Sequence, residues 1–555
     1  MTAGILSTAL SGLNAYQQAL DTTSNNISNA STPGYDVEQA QFSTLPEQQT
    51  AAGFIGAGVT VANVTRSYNQ FLNNQVLSST SAYNNSNTYY TLASQIDNMI
   101  ANQSTGLSTA MSTFFNDANN VANNPSDLPS RQVLLTDSAA LATQFNDISS
   151  TFAGLTTQVN GNLSNSVQQL NSYAQSLAQL NGQIVTNSNT GTGQSPNGLL
   201  DQRDQLLNQI SQLANVSVVN QPNGAINVFI GQGQPLVLAN SASTLSVQAS
   251  PTDSNQMEVM VNGQDISNQI TGGQIAGNIQ FRSQVLQPAQ QQLGLVATGL
   301  ATAVNNVQQA GVDLNGNQGL PLFTLGAPTA QVQGTYNDPN LQVSANFVAP
   351  TSVAGLAASY QLTVTGTAPS DTFTLTNLAN NTSVTGLSSA SLATTAAADG
   401  FSINFSGGSL TSGDSFQISP NYNTAATIQV NSAITSPGQI AAASSAAGLP
   451  GDNSNALALA NLENQPLMEN GASTFSQVYG QLVTTVGENT SSAQTNSTAQ
   501  NTVLQNATQA QQSLSGVNLN EEAANLIQYQ NAYQAAAKSV SVVQTLFTSI
   551  LNMVN

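Results

Sequence analysis

The chain has 555 residues, 40% of them apolar, so a real core can form and about three or four domains are expected. Only 5 Lys+Arg stand against 25 Asp+Glu, for a net charge of −20, and His, Cys and Trp are absent. That excludes a Ser-His-Asp triad, a cysteine nucleophile, a Cys/His zinc site and disulfides, and it leaves too few cations for nucleic acid, nucleotides or an anionic membrane.

The first segment, ILSTALSGLNAYQQALDTTSNNIS, reads as a helix. Leu6, Leu10, Leu13, Gln17 and Leu20 step by four, three, four, three, a narrow heptad stripe rather than a broad globular face. NASTPGY, with Thr32, Pro33, Gly34 and Tyr35, should stop this helix near Asn29. The first 20 residues hold no Lys or Arg and no continuous apolar run, so no secretory signal is expected; nor does any run reach the roughly 20 residues of a membrane span.

Helical periodicity dominates residues 60–215. One amphipathic run passes through Tyr90, Leu92, Ile96, Met99 and Ile100, and NNPSDLPS breaks it. RQVLLTDSAALATQFNDISSTF resumes it, and a further run reaches Ile184. TNSNTGTGQSPNG reads as a loop. LLDQRDQLLNQISQL reads as a short helix whose only charges are Asp201, Arg203 and Asp204. Asp201 and Asp204 share a face, and Arg203 beside them suggests a packing role rather than an acid pair. From Val216 the period is two, giving a hairpin around Pro222-Asn223-Gly224 and a further strand, MEVMVNGQDI. FRSQVLQPAQQQLGLVATGLATAVNNVQQAG returns to helix with a kink expected at Pro288. DLNGNQG, from Asp313, lacks Gly and Glu at the calcium-loop positions and reads as an Asx turn.

Residues 326–424 are strand-rich (YQLTVTG, DTFTLTNL, FSINFSGG, DSFQISP) and read as a β domain inserted between helical segments. After Pro450 the helices return. The last is longer than the first: Leu519, Leu526, Tyr533, Val540, Phe547 and Val554, spaced by seven, are all apolar over about 36 residues without Pro or Gly. Glu521 and Glu522 suit its start through the helix dipole. Adjacent on a helix, they point about 100° apart and cannot flank a scissile bond.

The fold expected is mainly α with an inserted β domain, an α+β multidomain chain. Its terminal helices, 1–45 and 515–555, pair as a coiled-coil-like core. The helical body covers 46–325 and 425–514, with a small β subregion near 216–270, and the outer β domain is 326–424. Two ordinary core helices of one domain are the alternative reading of the ends. No catalytic, cofactor-binding or metal residue is predicted.

SGLNAYQQALDTTSNNISNASTPGY and SGVNLNEEAANLIQYQNAYQAAAKSV resemble the N- and C-terminal signatures of bacterial flagellar rod, hook and hook-associated proteins. SPNGLLDQRDQLLNQIS, GNIQFRSQ and DNSNALALANL are similar to the hook-associated branch found at the hook–filament junction. The resemblance implies a non-catalytic structural protein, exported by the flagellar type III route without a cleaved signal peptide. It implies copies of itself in a ring, hook protein below, a second hook-associated protein above, and a cytoplasmic export chaperone on the C-terminal helix. Nucleic acid and membrane are not expected partners. A hook or distal-rod component is the nearest rival; a secreted adhesin or glycosidase carried by the β insert is the rival of another class.

Overall fold

The computed structural model describes residues 2–50, 53–101, 106–188, 195–250, 255–326, 331–335, 338, 340–348, 350, 353, 356–366 and 371–554. The middle of the expected loop TNSNTGTGQSPNG (189–194) lies outside them.

The chain begins with helix α1 (Thr2–Asn29), followed by a β ribbon that helical periodicity had hidden. Strands β1 (Glu38–Thr44) and β4 (Val59–Arg66) pair antiparallel, with the small hairpin β2 (Gln48–Thr50) and β3 (Gly53–Ile55) at the tip. The alternation in VTVANV is the sequence sign of this ribbon. It packs on α1, so the boundary expected after residue 45 cuts through a paired element, and residues up to 66 belong with the terminal helices.

The body starts at α2 (Gln70–Ile100), whose N-cap Asn69 accepts from the N–H groups of Phe71 and Leu72. Then come α3 (Leu107–Asn123), α4 (Leu128–Ser188) and α5 (Asn197–Leu213). The two periodic runs expected between residues 131 and 184 form one 61-residue helix, α4. Gly154, Gly161 and Gly182 lie within it in open space. An isolated glycine costs a helix about 1 kcal/mol, which continuous packing outweighs. Strands β5 (Val216–Asn220), β6 (Ile226–Ile230), β7 (Gln234–Leu238) and β8 (Ser241–Ala242) form a meander. The β5–β6 turn is closed by Gly224 at φ +88°. Strands β9 (Leu245–Ala249), β10 (Met257–Val261) and β11 (Gln264–Asp265) form a second small sheet.

Helices α6 (Gly273–Phe281) and α7 (Gln287–Ala310) are joined by one π-turn, Arg282–Leu286. The irregularity expected at Pro288 therefore sits one turn earlier. Proline cannot donate to the carbonyl four residues back, and the wide turn, in which the Gln287 N–H reaches Arg282 O, makes room for its ring.

Strand β12 (Phe323–Thr324) leads into the insert. Strands β13 (Gln331–Thr335), β14 (Gln342–Phe347), β15 (Tyr360–Val364), β16 (Phe373–Asn377) and β17 (Thr382–Leu387), helix α8 (Ser389–Ala398), and strands β18 (Phe401–Ser406) and β19 (Ser415–Ser419) follow. A five-stranded sheet runs β13-β19-β15-β16-β17, and the β14–β18 ribbon lies over it. The insert has its own apolar cluster, with Tyr360, Phe373, Phe401 and Phe416 fully buried and Phe405 stacked on Phe373 at 5.9 Å. Its C-terminal limit falls near 419, not 424. Helix α9 (Thr424–Thr427) is buried in the body, where Thr424 Oγ1 donates to Gly294 O at 2.7 Å. Strand β20 (Gln429–Val430) returns beside β12.

Helices α10 (Ser454–Asn461) and α11 (Phe475–Ser515) complete the body, α11 lying along α2. Thr474 and Gln477 form a capping box at the start of α11. The main core joins Phe114, Phe115, Phe145, Phe152, Phe281, Phe323 and Tyr479. Helix α12 (Leu519–Val554) then returns to α1.

Candidate assembly interface at the chain ends

Helices α1 and α12 lie antiparallel. A Cβ on Gly12 would stand 3.9 Å from that of Ala536, and Asn26 bonds Glu522. Both pairs of residue numbers sum to 548, which fixes the register. On α1 the buried line is Gly12, Ala15, Ala19, Thr22 and Asn26, stepping by three, four, three, four. On α12 it is Glu522, Tyr529, Ala536 and Val543, spaced by seven, buried at both ends and half-buried between. This is a coiled-coil seam. On α1 its residues are small or hydroxyl-bearing, which lets the backbones approach closely.

The leucine stripe therefore faces elsewhere. Leu6 and Leu10 are exposed, and Leu13 and Leu20 half-buried. On α12, Leu526, Tyr533 and Val540 flank the seam and are half-buried, whereas Leu519 and Phe547 are exposed. The side chain of Val554 lies outside the described residues. Phe547 is 53% exposed because α12 has 36 residues against 28 in α1, and by the register it stands just past the start of α1. Ile527, Val542 and Leu546 are also exposed. The pair thus uses small residues of α1 inside the subunit and leaves Leu6, Leu10, Leu519, Ile527, Val542, Leu546 and Phe547 uncovered.

Behind the pair, the TPGY turn is held by Gly34 at φ +79°, where a side chain would be strained, and by bonds from Thr32 N to Asn29 O and from Tyr35 N to Thr32 O. Asn26, 1% exposed, is its hub. Asn26 Oδ1 accepts from the Tyr35 hydroxyl (2.7 Å) and Glu38 N (3.0 Å); Nδ2 donates to Glu38 O (2.8 Å) and Glu522 Oε2 (3.0 Å). All the bonding capacity of one buried amide is used to join α1, the turn, β1 and α12. Phe42 of β1 packs between Tyr16 and Tyr529, with ring centroids at 5.7 and 6.0 Å.

A charged joint ties this unit to the body. Arg66 Nη1 lies 3.2 Å from Asp36, 2.9 Å from Asp201 and 2.6 Å from Asp204. Spacing alone had linked the two α5 acids to Arg203. In the structure their cation is Arg66, and Arg203 Nη1 donates to Gly224 O instead. Burial pushes the Asp36 carboxyl up to about 6 although Arg66 pulls it down. Burial likewise raises Asp201. Burial works against the charge of Arg66, but Asp204, Asp201 and Asp36 outweigh it and raise its pKa. A cleft of about 1900 Å³, lined by Thr22, Tyr35, Val76, Gln205, Gln511 and Tyr529 among others, separates the terminal pair from the body beside this joint.

The other arginines are structural too. Arg131, 1% exposed, holds the Pro125 and Ile440 carbonyls, and Arg282 holds that of Met257 at 2.6 Å. With all four guanidinium groups enclosed, Lys538 is the one exposed cationic side chain. Asp313 accepts from Asn315 N and Asn317 N at 2.8 Å, an Asx turn. In the insert, Asp338 accepts from Asn340 N and Ser409 N, and Asp414 from Thr411 N and its hydroxyl, so these acids brace turns. Among the described residues no group of three or more acids is placed to hold a metal, and no helix is long and apolar enough to cross a membrane.

Three family models match: the flagellar hook-associated protein FlgK helical domain over residues 93–323, the flagella basal body rod protein over 6–35, and the flagellar basal body rod FlgEFG protein C-terminal over 500–553. Flagellar hook-associated protein 1 of Salmonella typhimurium is 33% identical over 561 residues, covering 99% of both chains. That of Escherichia coli is also 33% identical, again over 99% of both. The solved structure of the flagellar hook junction protein FlgK from Burkholderia pseudomallei has a TM-score of 0.69 at 28% identity, covering 80% of this chain and all of that one.

Proposed function

The chain belongs to the flagellar hook-associated protein 1 family, and we propose that it forms the junction ring between hook and filament, its paired end helices packed around the flagellar axis and its β insert turned to the water. It is a structural component of the flagellum, needed for the filament to assemble. The observation that carries this reading is the division of labour on the terminal helices. Gly12, Ala15 and Ala19 seal the pair within a subunit, and Leu6, Leu10, Ile527, Val542, Leu546 and Phe547 are left over. Helices bearing such stripes need partners on further sides. Copies of the chain, hook protein and a second hook-associated protein are the partners proposed, and before assembly an export chaperone covers α12. Export by the type III route would deliver the chain to the growing tip.

Asp338 and Asp414 of the insert brace turns, and no catalytic role is proposed. Immunogold labelling of intact flagella tests the placement. A single band at the hook–filament boundary is expected; label spread along hook or filament would sink it.

A further inference from the structure

The terminal pair carries four charged side chains: Asp21 on α1, and Glu521, Glu522 and Lys538 on α12. Glu522 is buried against Asn26. Asp21 and Lys538 are exposed, and neither forms an ion pair or side-chain hydrogen bond among the described residues. Asp21 lies two positions after Ala19, and Lys538 two after Ala536, both on the seam. Two positions turn a helix by about 200°, so each charge points away from the partner helix. One outer flank of the pair thus bears a carboxylate beside Leu10, Leu13 and Gln17. The opposite flank bears an ammonium beside Ile527, Val542 and Leu546.

We propose that copies of this chain pack side by side, α1 of one against α12 of the next, with Asp21 of one copy on Lys538 of its neighbour. The inference rests on the assembly reading above and adds its register. Within one chain, Lys538 is level with residue 10, eleven residues from Asp21, or about 16 Å along the axis. The two charges meet only if neighbouring copies are shifted by about that distance. The contact is heterologous, since different faces of identical subunits touch, and a closed ring takes up the shift when the helix pairs are tilted to the ring axis. The apolar stripes supply attraction but slide easily past one another by a heptad. A single ion pair on an otherwise nearly uncharged surface selects one register, as a lone polar residue does in a coiled coil.

The chain has no cysteine, so an Asp21→Cys/Lys538→Cys variant carries two unambiguous thiols. A short bis-maleimide, with a reach well under 16 Å, cannot join them within one chain. Cells making only this variant should yield flagella that, once cross-linked, give a ladder of covalent multimers on a denaturing gel. The isolated monomer and the single-cysteine variants should give none. In a second measurement, Asp21→Lys and Lys538→Asp should each lower filament number several-fold, and the double variant should restore it. Assembled filaments with neither ladder nor rescue would overturn the register and leave the assembly reading standing. Cross-linking of either thiol to hook protein would also overturn it, by putting another partner on that flank. Failure of the assembly reading itself would show separately, as normal filaments from Phe547→Asp.

Discussion

Asn26 on the first helix donates to Glu522 on the last at 3.0 Å, joining positions 496 residues apart inside a site closed to water. The same amide holds the Tyr35 hydroxyl and both backbone groups of Glu38. The signature turn and the terminal pairing are therefore one hydrogen-bonded unit.

Asn26→Ala strips partners from a buried carboxylate, a tyrosine hydroxyl and two backbone groups. Stranding a buried polar group costs about 1–3 kcal/mol. The loss should be local, because the main core lies elsewhere. Hydrogen exchange along α1 and α12 should quicken at least tenfold with the body's melting temperature unchanged. Unchanged exchange there would mean that the apolar contacts hold the pair alone.

Arg66→Gln should be severe. It leaves Asp36, Asp201 and Asp204 enclosed without their cation, and breaking such a buried pair costs about 3–5 kcal/mol. Protonation relieves the repulsion, so the melting temperature should fall more at pH 7.5 than at pH 5. An equal fall at both would show that the carboxylates are not the source of the cost.

The native chain should also gain stability in mild acid. Burial raises Asp36 and Asp399 to about 6, and Asp117 to about 6 with help from Asp137. Unfolded, these groups have a pKa near 4. Between about pH 4 and 6 the native state thus holds more protons than the unfolded one, and stability falls as pH rises. Asp127, Asp338 and Asp452 are held low by hydrogen bonds and act oppositely, losing their contribution only below about pH 4. The melting temperature should peak near pH 4, and Asp399→Asn should raise it at pH 7.5 but scarcely at pH 4. A melting temperature still climbing from pH 5 to 7.5 would refute this.

Strands β12 and β20 bring the entry and exit of the insert together, with Thr324 opposite Gln429. Replacing residues 328–418 with a flexible Gly/Ser linker should leave a cooperative melt, since the insert's core is its own. The melting temperature should drop modestly, because Val353 and Leu356 pack on the main core. Loss of a cooperative transition would make the insert part of that core.

Legibility followed range and size. The stop of α1 at Asn29, the 36-residue α12 and the insert's strands were readable because turn residues and periodicity are local signals. The seam itself was not. A search for large apolar residues finds Leu6 and Leu10, whereas close approach needs Gly12, Ala15 and Ala19, which resemble any small-residue run. The three acids of Arg66 come from the TPGY segment and α5, and no spacing rule connects them. The β1–β4 ribbon is readable only in β4, because β1 (EQAQFST) does not alternate cleanly.

The two classes of residue on the terminal helices make opposite predictions. Ala19 is fully buried in the seam, and Ala19→Leu forces three extra carbons between α1 and α12. Overpacking of this kind costs about 1–3 kcal/mol, so the isolated subunit should show faster exchange along both helices. Phe547 lies beyond the reach of α1, and Phe547→Asp should leave the isolated subunit's exchange and melting temperature unchanged. In the assembled ring the same carboxylate would be enclosed by neighbouring helices at every copy. A chain whose one exposed cation is Lys538 offers it almost no partner. An unpaired charge in that setting costs several kcal/mol per subunit, on the order of the penalty for burying an ion without a counterion. Cells making only Phe547→Asp should therefore export a folded protein but carry few filaments and swim poorly. Normal swimming would show that Phe547 faces solvent in the flagellum. A lowered melting temperature with filaments intact would place it in the subunit's own core.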